Sequence, residues 1–120
     1  MRLLKTEEAV LIEALLMTNP QIASTILPTI DAVLVEDMDD GEMGSLLFQS
    51  FDDNPNRSLG EILAEAEFLD KDKIPVYVQL NLDNHSQLFE LDIWKADYSP
   101  VSRLPNLDQI VIKKIISPIA

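Results

Sequence analysis

The stretch IPVYVQLNL, Ile74 to Leu82, alternates without a break. Ile74, Val76, Val78, Leu80 and Leu82 fall on one side; Pro75, Tyr77, Gln79 and Asn81 fall on the other. A strict period of two fits a half-buried β-strand and excludes a helix. A strand of this kind needs neighbours along its edges and a layer over its apolar face, and the flanking sequence offers both.

Downstream, DNHS (Asp83 to Ser86) reads as a turn and Gln87 to Lys95 as a returning strand. A four-residue loop sets Leu80 opposite Phe89, Val78 opposite Leu91 and Val76 opposite Ile93. Upstream, Gly60 to Asp70 carries two periods. Leu59, Ile62, Leu63 and Ala66 have helical spacing, whereas Ile62, Ala64, Ala66 and Phe68 alternate. The strand reading is preferred because pairing Phe68 with Ile74 across LDKDK sets Ala66 opposite Val76 and Ala64 opposite Val78. All three strands then place their apolar residues on one face.

The covering layer is sought at the N-terminus. Thr6 can cap a helix, Glu7 and Glu8 suit its first turn, and Val10, Leu11, Ala14 and Leu15 form a stripe. Asn19-Pro20 stops that helix and starts a second through Ile22, Ala23, Ile26 and Leu27, ended by Pro28. Ile30 to Val35 reads as a buried strand, EDMDDGEMG (Glu36 to Gly44) as a charged turn, and Ser45 to Phe51 as the strand returning from it. Phe51 to Gly60 is the most loop-like segment. Val101, Leu104 and Pro105 suggest a loop against the sheet, and Gln109 to Ile116 a last apolar segment, helix or strand, with strand preferred. The expected architecture is a single α+β domain over residues 1–120: two N-terminal helices packed on an antiparallel meander sheet of about five strands.

Charge narrows the choice of partner. Residues 31–72 hold thirteen acids and only Arg57 and Lys71 as bases, a net of −11 within a chain total of −12. Such a field repels nucleic acid and anionic lipid and speeds encounter with basic proteins. The absence of cysteine excludes disulfides and thiolate chemistry. Lys5, Glu7, Glu8 and Glu13 interrupt any secretory core near the start. No apolar run approaches the roughly 20 residues of a membrane span. The expectation is a soluble, cytoplasmic protein.

On the polar side of the sheet the reading places Glu65, Tyr77 and Asp92 in one cross-strand row. Leu63, Gln79 and Glu90 form the next, with Glu67, Pro75 and Trp94 at the end. Aromatic anchors ringed by acids select a basic partner, so Glu65, Glu67, Tyr77, Glu90, Asp92 and Trp94 are the candidate partner-binding residues. An ordinary solvated face is the plain alternative. Carboxylates two strands apart stand roughly 9–10 Å apart, a separation that an inverting glycosidase also uses. No deep pocket is implied, and no catalytic residue is assigned. Asp37, Asp39, Asp40 and Glu42 around Gly41 miss the spacing of a calcium loop, and GEMGS lacks the ending of a phosphate cradle. His85 lies in a turn. No metal or cofactor is expected.

The segments MRLLKTEEAVLIEALL, GSLLF and EAEFLDKDKIPVYVQLNLDNHSQLFELDIWKADYSP together resemble a family of small bacterial proteins with an Asp-rich hairpin followed by LFELDIWK-D-(F/Y)-SP. The resemblance covers most of the chain. It implies an α+β domain without assigned catalytic residues, similar to immunity proteins that neutralise toxins in bacterial competition. The expected function is that of a non-catalytic, acidic immunity protein that blocks a basic toxin nuclease domain. The alternatives are a general interaction or regulatory domain acting as a homodimer through a strand edge, and a small carboxylate-dependent hydrolase.

Overall fold

The computed structural model describes residues 1–50 and 56–115. Its elements run β1 (Arg2–Leu3), α1 (Thr6–Leu16), α2 (Pro20–Ile26), a 3-10 helix (Leu27–Ala32), β2 (Leu34–Asp37), β3 (Leu46–Phe48), β4 (Leu59–Leu69), β5 (Pro75–Asp83), β6 (Leu88–Lys95), a 3-10 turn (Leu107–Gln109) and β7 (Val111–Ile115). All seven strands join one antiparallel sheet in the order β1-β2-β3-β6-β5-β4-β7.

The α+β class and the antiparallel β4–β5–β6 meander match the reading of the sequence. The strand count does not: the sheet has seven strands rather than about five. Arg2–Leu3 adds a short edge strand where a helix alone was expected. The sheet is also not a simple meander, because β3 pairs with β6 and not with its chain neighbour β4. The Ile30–Val35 strand is displaced. Pro28 opens a 3-10 helix that extends through Ala32, and the strand begins at Leu34 and runs into acidic residues that had been read as turn. Residues 51–55 of the expected Phe51–Gly60 loop, and Ile116, lie outside the described residues.

The helix layer is likewise only partly as expected. Helix α1 lies on the sheet over β4, while α2 has its main contacts with α1 and the following 3-10 helix. Lys5, not Thr6, occupies the N-cap position of α1, and the Glu8 carboxylate accepts its backbone N–H at 2.8 Å. Asn19 and Pro20 act as anticipated. The Asn19 side chain accepts the Ile22 N–H, and Pro20 takes the first helical position, where no N–H is needed.

One face of the sheet and the inner faces of the helices form the core. Leu11, Ile12, Leu15 and Leu16 of α1 meet Phe48, Ala64, Ala66, Val78, Leu80, Leu91 and Ile93, all essentially fully buried. Val101 and Leu104 pack against its margin.

Both hairpins sit two residues away from the expected register. Val78 faces Ile93 and Leu80 faces Leu91 on one side, and Ala66 faces Val78 and Phe68 faces Val76 on the other. A two-residue slip leaves every alternating side chain on its original face, so the core survives the error. A bulge between Asn81 and Leu82 has a sharper effect: it turns Leu88 into the core in place of Phe89. Phe89 instead lies beneath the Arg57 guanidinium, 5.0 Å from the ring centre.

Two buried ionic networks fix the ends of the hairpins. At the β5–β6 turn, Asp83 accepts the backbone N–H of His85 and of Gln87 and pairs with Arg57 at 2.6 Å. Arg57 also donates to the carbonyls of Phe48 and Leu88, and so joins β3, β5 and β6. Burial pushes the Asp83 carboxyl up, but Arg57 and the two N–H groups outweigh it and hold the group below its usual range. Gly60 lies against this turn, where a Cβ would stand 2.3 Å from the Asp83 carbonyl oxygen.

At the opposite end, the Lys95 ammonium is 2% exposed and reaches Asp70 at 2.9 Å and Asp72 at 2.6 Å. Asp70 also accepts the N–H of Lys71 and of Ser102, which ties the β4–β5 turn to the chain beyond β6. Burial raises the Asp70 carboxyl, yet the Ser102 N–H, Lys95 and the Lys71 N–H together bring it down to about 2.

Two outcomes are expected. Gly60→Ala should lower the stability by about 2 kcal/mol, seen as a lower urea midpoint at an unchanged m value, because the atoms it meets are backbone and cannot swing aside. For Asp70 the folded-state pKa lies below the unfolded value of about 4. Its contribution is therefore complete above that value and disappears as pH falls from about 4 toward about 2. Urea titrations of wild type and Asp70→Asn should show the largest stability gap near neutrality and a narrowing gap through that acid window.

Candidate functional site

The helices and the C-terminal loop cover one face of the sheet. The opposite face of β4, β5 and β6 carries the residues singled out in the sequence, brought together in rows different from those expected. Tyr77 stands between Glu67 and Trp94, Gln79 between Glu65 and Asp92, and Asn81 between Ile62 and Glu90. Glu65, Tyr77 and Asp92 therefore do not share a row, and neither do Leu63, Gln79 and Glu90. The two-residue slip in each hairpin accounts for both corrections. Leu63 leaves this face altogether, since the bulge between Ile62 and Ala64 buries it.

All six candidate residues are half-buried side chains on one continuous surface. The Tyr77 and Trp94 rings are paired with centroids 5.7 Å apart and planes tilted by 34°, an arrangement that buries ring area and leaves both edges in place. Gln79 donates to Glu65 at 3.1 Å. Asn81 donates through one nitrogen to both Glu90, at 3.0 Å, and Asp92, at 3.2 Å. Burial, then the neighbouring charges of Glu90 and Asp40, push the Asp92 carboxyl above its usual range, against the hydrogen bond from Asn81.

No pattern along the chain marks Asn81 or Gln79 as organisers. They stand out only once the register shows which carboxylates they face. Ion pairing separates the acids of this face from those elsewhere. Asp37 and Glu8 pair with Arg2, Asp83 with Arg57, and Asp70 and Asp72 with Lys95. Among the described residues, none of these ion pairs involves Glu65, Glu90 or Asp92. The charge of the 31–72 segment is thus partly neutralised within the fold, and half of the acidic face comes from β6, in the part of the sequence that is neutral overall.

The other candidates play structural parts. Asp40 closes its loop by accepting the N–H of Met43 and of Ser45. Among the described residues no three His, Cys, Asp or Glu side chains converge to hold a metal ion. His85 contributes its backbone N–H to Asp83. A cleft of about 420 Å³ lies on the helix side, lined by Ile22, Ile26, Val33, Phe48, His85 and Leu88 among others, and none of the six candidate residues borders it. No described helix is long and apolar enough to cross a membrane.

Residues 1–105 match the family model described as a domain of unknown function, DUF6984. No curated protein and no solved structure gives a significant match. The match takes in the helices, strands β1 to β6 and every residue of the acidic face, and on that extent the chain belongs to the DUF6984 family.

Proposed function

We propose that this protein is a non-catalytic binding protein whose sheet face opposite the helices docks a basic protein, and that it serves as an immunity protein blocking a toxin nuclease domain. The observation that carries this reading is the joint placement of Glu65, Glu90 and Asp92 with the Tyr77–Trp94 pair. These three acids have no ion-pair partner among the described residues. Half-buried acids beside aromatic anchors gain most from a cation brought by a partner, since exclusion of water strengthens each contact. A nuclease presents such cations where it grips phosphate, and an acidic face laid over them removes its substrate site. The likeness to immunity proteins in size and type points the same way.

Homodimerisation is a second reading, favoured by the exposed Val111 and Ile112 on β7 and Leu3 on β1, the two edges of the sheet. Sedimentation at several concentrations separates the two.

The direct experiment is affinity capture from bacterial lysate and secreted fractions at low and high salt. A stoichiometric basic protein with nuclease activity that is lost on binding is the expected result. Each of Glu65→Lys, Glu90→Lys and Asp92→Lys should weaken that complex by about tenfold or more, and added salt should weaken it further. Unchanged affinity in all three variants would move the interface elsewhere on the molecule.

A further inference from the structure

The acidic face is not uniform, and its irregularity lies at Asn81. This side chain is 1% exposed. Its nitrogen is shared between Glu90 and Asp92, while its carbonyl oxygen, also buried, meets no donor among the described residues. A buried acceptor without a donor costs free energy that a folded protein ordinarily avoids. Nothing at the carbonyl end therefore holds the amide in its orientation; only the two carboxylates do.

Turning the amide about its last torsion exchanges oxygen for nitrogen and faces the carboxylates with a third acceptor. In the free protein that arrangement is repulsive. With a donor-rich cation between the three oxygens it becomes the favoured one.

We propose that Glu90, Asp92 and Asn81 form a socket for an arginine side chain of the basic partner. The proposal rests on the docking reading above and specifies its central contact. Several features select a guanidinium over an ammonium. Glu90 and Asp92 sit two residues apart on one strand, so their Cα atoms are roughly 7 Å apart, while their oxygens converge on a single amide nitrogen. A planar fork brings five donors to the two carboxylates and the Asn81 oxygen together, whereas an ammonium brings three. Both carboxylates are half-buried, and a guanidinium gives up its hydration more readily. Trp94, two residues beyond Asp92 on the same face and backed by Tyr77, offers a flat π surface beside the socket. The elevated proton affinity of Asp92 fits a pair of like charges that lacks its counter-ion.

Trp94 is the only tryptophan in the chain, so its fluorescence reports binding here directly. The test uses two synthetic peptides of equal length and charge, one with six arginines and one with six lysines. They are titrated into the full chain while Trp94 emission and the side-chain amide resonances of Asn81 are followed. The expected result is about fivefold or greater preference for the arginine peptide, with movement of the Asn81 resonances. Glu90→Gln, a near-isosteric change at a half-buried site, and Asn81→Ala should each remove the preference. Glu65→Gln should weaken both peptides equally and leave the preference intact.

Equal affinity for the two peptides, still reduced by Glu65→Gln, overturns the socket while leaving the acidic docking face standing. A preference that survives Glu90→Gln and Asn81→Ala also overturns it. Failure of both peptides to bind overturns the socket and the docking face together. Movement of the Asn81 resonances with magnesium or calcium ions but not with the arginine peptide would reassign the cluster to a metal ion.

Discussion

The alternation of β5 is the constraint on which the rest of the molecule depends. With β4 on one edge and β6 on the other, each residue of this strand points either into the core or away from it. Val76, Val78 and Leu80 define the surface that α1 covers, and the same backbone commits Tyr77, Gln79 and Asn81 to the other side. A single helical layer covers only one face of a sheet. The acidic, aromatic surface thus follows directly from how the core is built, and needs no additional element to present it.

Fixing the ends of these strands falls to charged residues. Arg57 with Asp83 closes one end and Lys95 with Asp70 and Asp72 the other. A buried ion pair adds little stability over a well-packed apolar substitute, but it is intolerant of displacement, because a shifted partner leaves a buried charge uncompensated. Here the pairs act at the two places where hairpin register is chosen, with Asp83 and Asp70 also capturing backbone N–H groups of their own turns. Among the described ion pairs, the two best-buried cations, Arg57 and Lys95, thus stand where strand alignment is decided.

The sequence made the faces legible but not the rows. Period two survives a slip of two residues, so most of the core face of β4, β5 and β6 is legible, with Leu63 and Leu88 turned inward in place of Ile62 and Phe89, while every expected cross-strand pair differs. The cause is local. In the β5–β6 hairpin Asp83 remains part of the strand and the turn moves to residues 84–87, and the bulge at Asn81 and Leu82 adds a further offset; neither leaves a mark in the pattern of apolar residues. Contacts between distant segments were hidden for a different reason. The pairing of β3 with β6, the edge strand Arg2–Leu3 and the reach of Arg57 to Asp83 join residues far apart in the chain, and nothing in a short window specifies them. The six candidate residues were found as a group because membership of a face needs only periodicity. The role of Asn81 was not, because it depends on which carboxylates stand beside it.

Strand β7 begins after the residues that match the family model, and it lies along β4, covering it from Ala64 to Glu67. An eleven-residue strand such as β4, left bare, offers a row of unpaired amides and carbonyls on which any extended chain can assemble. Strand β7 caps four positions of this row from within the same chain, with a bulge between Glu65 and Ala66. The outer edge of the sheet then passes to β7, whose five residues present a shorter row than the eleven-residue strand behind it.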